Sequence, residues 1–95
     1  MSDGLRIMCI NRTARAEAHQ RIRNVGGFDN GSRWCVSQAW AVAAMESRGY
    51  KFFVFVKGRA VRVITHTTPD GKKYLKTDLD GEQPETLLQL SECPA

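Results

Sequence analysis

No apolar run in the chain approaches the roughly 18 residues of a membrane span, and Leu5–Ile10 is too short for a signal-peptide core. A membrane partner is therefore not expected. Cysteine is scarce. Cys9, Cys35 and Cys93 are odd in number and widely spaced, with no Cys-x-x-Cys pair, which favours free thiols and a cytoplasmic protein. Histidine is scarcer still, with His19 and His66 alone. A zinc site assembled from His19, His66, Cys35 and Cys93 would lack the paired ligands two to four residues apart that structural zinc sites use. Asp78-Leu79-Asp80-Gly81-Glu82 resembles the start of a calcium loop, but Gln89 stands where the final acidic ligand belongs. Neither a metal nor a cofactor is expected. Phosphate-binding glycine patterns are missing too, so Gly26-Gly27 reads as conformational.

What is present is an ordinary globular balance. At 95 residues, 25% charged and 42% hydrophobic, the chain is long enough for one domain, residues 1–95, with a single modest core. The net charge of +4 conceals an asymmetry. Residues 1–77 hold all 14 lysines and arginines against five acids, and residues 78–95 hold five acids and no base. A basic body attracts polyanions. The acidic tail can equally fold back and neutralise it.

Leu5–Ile10, bounded by Gly4 and Asn11, reads as a strand with apolar side chains on both faces. Arg12–Asn24 lacks large apolar residues at helical spacing until Ile22 and Val25, so it reads as a polar connection. Gly26-Gly27 is expected to break any regular element, and Asp29-Asn30-Gly31 to turn the chain before Trp34. Ser37 is a good N-cap for a helix to Arg48, with Gly49 as its left-handed cap. Val36, Ala39, Trp40, Ala43 and Ala44 share one broad face of that helix. Tyr50–Val56 is apolar almost throughout and is expected inside a sheet, buried on both faces. Lys57-Gly58 suits a hairpin turn into the alternating strand Arg59–Thr67. Pro69-Asp70-Gly71 turns the chain into the strand Lys72–Thr77. Pro84 and the leucines Leu87, Leu88 and Leu90 mark a short C-terminal helix. Together these elements predict an α+β domain. Its small antiparallel sheet of about four strands carries one main helix on a face and a short helix at the end. Trp40, Phe53, Phe55, Val63, Leu75 and Leu88 are its expected core.

The segment Gly71–Cys93 contains Lys73-Tyr74-Leu75 with Thr77, then Asp80-Gly81, then Leu87, Leu88, Leu90 and Cys93. Upstream stand His19, Arg21, Ile22, Gly26, Gly27, Trp34, Phe53 and Val54. This pattern resembles a small bacterial family called domain of unknown function 3892. The resemblance spans most of the chain and implies an architecture without an assigned chemistry. In that family a proline usually precedes the acid–cysteine pair; here Ser91 takes its place. Among the matched positions, His19 could act as a base or ligand and Arg21 could clamp an anion. The structural alternative, which has His19 capping a turn and Arg21 pairing with a tail carboxylate such as Asp80, is preferred. Cys93, beside Glu92, suits a small buried hydrophobe better than a nucleophile.

The basic residues Lys57, Arg59, Arg62, Lys72, Lys73 and Lys76, with Tyr74 among them, are the best functional candidates. They can hold nucleic-acid phosphates while an exposed ring stacks on a base. Lysines on edge strands also guard against aggregation. Three functions follow in order of preference. The first is a non-enzymatic binding module for nucleic acid or a protein. The second is an assembly protein that pairs with itself through a sheet edge or the Trp34/Trp40 neighbourhood. The third is an enzyme using His19, Arg21 and Cys93.

Overall fold

The computed structural model of the protein describes residues 4–15, 17–29, 31–81 and 83–94. Ala16, Asn30 and Glu82, placed by the sequence in a connection and two turns, lie outside them. The described chain is α+β, as expected. It runs β1 (Leu5–Arg6), β2 (Cys9–Arg12), a single 3-10 turn (Ala18–Gln20), β3 (Ile22–Asp29), β4 (Ser32–Ser37), α1 (Gln38–Arg48), β5 (Phe52–Val56), β6 (Arg59–Thr67), β7 (Lys73–Thr77), α2 (Glu85–Leu88) and β8 (Ser91–Glu92).

The strands form two four-stranded sheets, ordered β1-β5-β6-β7 and β4-β3-β2-β8. The first contains the expected antiparallel run of β5, β6 and β7, with Val54 opposite Val61 and Thr65 opposite Leu75. Lys57 (φ 53°) and Gly58 (φ 81°) both take positive φ in the first turn, as the twist of a two-residue hairpin requires. The second sheet departs from the sequence reading. Gly26-Gly27 does not break the chain; it lies inside β3, which pairs antiparallel with β4 from Asn24/Ser37 to Asp29/Ser32. Leu5–Ile10 is not one strand either. β1 runs parallel to β5, the Ile7 N–H bonds Phe53 O at 2.8 Å, and the Met8 N–H bonds Gly26 O at 2.8 Å. The chain thus steps from one sheet to the other between Ile7 and Met8. This step welds the two sheets.

Between them lies one core built from Ile7, Ile10, Val25, Phe52, Val54, Val63, Leu75 and Leu87, among others. Val63 and Leu75 are buried as expected, but Phe53 and Leu88 are only partly so, and Trp40 (42% exposed) and Phe55 (43%) face outward. Helix α1 begins as predicted, with Ser37 Oγ accepting from the Trp40 N–H at 3.0 Å. Its buried face, however, is Gln38, Ala41, Val42 and Ala44. The reason is Gln38. Its amide donates to Ile22 O (2.8 Å) and His19 O (3.2 Å) and accepts from the Leu75 N–H (2.9 Å), so a polar side chain is fully satisfied inside. Turning Gln38 inward swings Trp40 outward, where it meets Tyr50 edge-on at 5.6 Å.

Candidate nucleic-acid interface

Successive side chains on a strand point to opposite faces of a sheet. In β5 this sends Phe52 and Val54 into the core and leaves Phe53 and Phe55 on the other side. The expectation that Tyr50–Val56 is buried on both faces therefore fails, because none of the described elements covers the second face. Phe53 and Phe55 pack edge to face at 5.6 Å. Cross-strand pairing places Arg62 beside Phe53 and Ala60 beside Phe55, and the parallel register places Arg6 on the other flank of Phe53. The Arg6 guanidinium lies 4.6 Å from the centre of the Phe55 ring. A groove of about 1050 Å³ runs past Phe53, Phe55, Ala60, Arg62 and Ile64 towards the end of α1. The carboxylate of Glu46 in that groove is paired with Lys73 at 2.7 Å. Asp78, directly after β7, stands beside Arg62, its N–H bonded to Arg62 O at 3.2 Å. The result is an aromatic strip between two arginines.

The structure divides the basic residues singled out in the sequence. Arg62 is exposed on this open face, and Lys57 and Arg59 stand at the hairpin turn beside it. Lys72 and Lys73 lie at the opposite end of β6, some nine residues or roughly 30 Å of strand away. Lys73 is engaged by Glu46, and the Lys76 ammonium donates to Gly81 O at 2.9 Å and Asp80 O at 3.5 Å. Tyr74 is 1% exposed and packs against His66, so it presents no ring for a base. The exposed ring on this face is Phe55. The inward turn of Phe52 and Val54 and the outward turn of Phe53 and Phe55 were masked by the uniformly apolar β5 sequence. Only the polar flanks Arg6 and Arg62 signal that one face is open.

The remaining matched positions hold the fold. The Asp80 carboxylate accepts from the Thr77 N–H (3.0 Å) and hydroxyl (3.1 Å) on one oxygen, and from the Thr86 N–H (3.0 Å) and hydroxyl (2.7 Å) on the other. It thereby fastens the end of β7 to α2. Arg21 donates to Gln83 Oε1 at 3.1 Å, in place of the tail carboxylate expected for it. His19 sits 3.8 Å from Glu17 and gives its carbonyl to Gln38. A Cβ on Gly26 would lie 2.6 Å from Trp34 O and 3.1 Å from the sulfurs of Cys9 and Cys93, and one on Gly27 would lie 2.3 Å from Arg6 O. These glycines are needed for space. Trp34 packs on Phe52 at 5.8 Å, with its indole N–H buried and unpartnered among the described residues.

Cys93 is buried, but not as a free thiol: it is disulfide-bonded to Cys9, with Cα atoms 4.8 Å apart, and Cys35 alone is free. The pairing arises because β8 runs beside β2 and delivers Cys93 over Gly26. The acidic tail is docked through Glu92, whose carboxylate meets Arg12 at 2.8 Å. Arg12 also donates to Leu88 O and Leu90 O. Glu92 is held below the usual carboxylate range, chiefly by the Arg12 hydrogen bond and then by Asn11. Among the described residues no cluster of histidine, cysteine and acid side chains is placed to hold a metal. No helix among them is long and apolar enough to cross a membrane.

The fold and this face define a small two-sheet α+β domain with an open aromatic and basic surface. The chain belongs to the family described as "Protein of unknown function (DUF3892)", whose pattern matches residues 6–91. No curated protein and no solved structure matches the chain.

Proposed function

We propose that the protein is a non-enzymatic module that binds single-stranded nucleic acid on the open face of the β1-β5-β6-β7 sheet. The observation that carries this reading is the Phe53–Phe55 strip flanked by Arg6 and Arg62. Every base has a π-face, so exposed rings bind single strands with little regard to sequence, while arginines take the phosphates. The guanidinium over Phe55 adds a second planar surface on which a base can stack. Lys57 and Arg59 extend the positive rim. The cytoplasm is the compartment proposed for this activity. Nucleic acid is accessible there, and an exposed Cys35 thiol persists there. In that setting the Cys9–Cys93 bond is reversible.

Titrating a fluorescent oligothymidylate with the protein at low salt tests the reading by anisotropy. Wild type is expected to bind, and Phe55→Ala to weaken binding by about fivefold or more, since one stacked base is worth ~1–3 kcal/mol. Equal binding by wild type and Phe55→Ala contradicts it. The exposed Trp40–Tyr50 pair supports a second reading, self-association through the outer side of α1. A sedimentation mass of one chain for wild type rules that out.

A further inference from the structure

Residues paired across an antiparallel ladder alternate between bonded and wide positions. The Met8 N–H bonds Gly26 O, so the backbone groups of Gly26 face the β2 side, and its pairing with Cys35 is a wide one. Arg33 pairs with Phe28 two places along and has the same phase. The N–H and C=O groups of Arg33 and Cys35 therefore project away from β3. Among the described residues β4 has a strand neighbour on one side only, and none of its six residues is buried. The other sheet edges differ. On β7 the Leu75 N–H is taken by Gln38 Oε1 at 2.9 Å and the Thr77 N–H by Asp80 Oδ2 at 3.0 Å. β1 and β8 are two residues each. A long edge with outward backbone groups is a template for another strand.

We propose that β4 is the contact edge for a second copy of this chain, which pairs antiparallel about a two-fold axis at Cys35 and continues the sheet. The strand is self-complementary in this register. The two Cys35 residues exchange both N–H···O bonds, and Trp34 stands opposite the partner's Val36, twice by symmetry. Trp34 and Val36 pack on the core but are only partly buried, so the added strand covers apolar surface that β4 leaves open. Arg33 meets the partner's Ser37, and no like charges are opposed. An axis at Arg33 would set two guanidiniums face to face. An axis at Ser37 would run the partner strand into α1.

The pairing uses neither the Phe53–Phe55 strip nor the Trp40–Tyr50 pair. One strand pair is a small seam, so association is reversible and depends on concentration. Cys35 reports on it. Two residues in a bonded antiparallel pair have Cα atoms about 5.5 Å apart, inside the range of about 4.4–6.8 Å that a disulfide spans. Directly paired side chains project on the same face, so the two thiols can meet. Cys9 and Cys93 are already joined, which leaves Cys35 as the free thiol.

Sedimentation equilibrium over a concentration series tests this edge. Wild type is expected to rise from the mass of one chain towards that of two, and Cys35→Ser and Trp40→Ala should do the same. Cys35→Glu opposes two carboxylates on the axis and should raise the dissociation constant by about tenfold or more. In a second measurement, wild type treated with oxidised glutathione should yield a chain-to-chain bond that peptide masses map to Cys35 on both sides. A single-chain mass for wild type throughout the series overturns the proposal, as does equal dimerisation by Cys35→Glu. So does Cys35 that carries glutathione with no chain-to-chain bond.

Discussion

At the scale of single residues, closeness of approach matters more than chemistry. Gly26 and Gly27 let β3 pass between the disulfide on one side and the Arg6 backbone and Trp34 ring on the other. A methyl group on Gly27 meets a backbone oxygen at 2.3 Å, which no rotamer change relieves. Gly27→Ala should therefore cost at least about 3 kcal/mol, the upper range for overpacking, or prevent folding. Urea unfolding checks this, and a loss under about 1 kcal/mol, the lower end of that range, would contradict the account. The pair of glycines was visible in the sequence, as was its freedom from phosphate-binding spacing. What was hidden is that neither needs unusual backbone angles, since crowding by partners remote in sequence leaves no local trace. Cys93 illustrates the same limit. Its burial was legible, but the partner 84 residues away depends on β8 settling beside β2.

At the scale of elements, Gln38 joins three of them. Replacing it with Ala strands Ile22 O, His19 O and the Leu75 N–H in the core. The cost should be about 2–4 kcal/mol, since each buried unsatisfied group costs ~1–3 kcal/mol and some relax. A denaturation midpoint equal to wild type would show that α1 does not depend on this clamp. The helix boundaries, its cap and the β5-β6-β7 meander were legible because capping residues, turns and alternation are local signals. The face of α1 was not, because periodicity counts glutamine as polar and cannot see its partners. The β3-β4 hairpin was missed for a related reason: its glycines, polar Asn24 and exposed Arg33 imitate a connection.

Arg12 and Glu92 form the second junction between elements. The folded state lowers the Glu92 pKa. Its contribution is accordingly present above the ordinary glutamate range and is lost as pH falls through the depressed value. Thermal melts between neutral and acidic pH should show wild type losing stability over that window more than Glu92→Gln. Parallel pH profiles for the two proteins would contradict this assignment. Both side chains are substantially exposed, so added salt should reduce the difference.

At the scale of the whole molecule, one bond and one charge pattern set the character of the domain. The Cys9–Cys93 link closes nearly the entire chain, and chain-entropy arguments give such a loop roughly 4–5 kcal/mol of stabilisation. The acidic tail is held at one end of β2 by Arg12, while Arg6 and Arg62 remain on a different surface, beside Phe53 and Phe55. Tail docking and an open basic face therefore coexist. The sequence showed the charge asymmetry but offered the two as alternatives. It also pointed to the lysines around Tyr74, because the burial of that ring depends on the chain folding around β7.

The most direct measurement is a titration of ¹⁵N-labelled protein with a short oligothymidylate, following every assigned amide. The account predicts shifts concentrated at Arg6, Phe53, Phe55, Ala60 and Arg62 that diminish as salt rises. Shifts confined to Lys72–Tyr74 or to α1, or none at low salt, would contradict it.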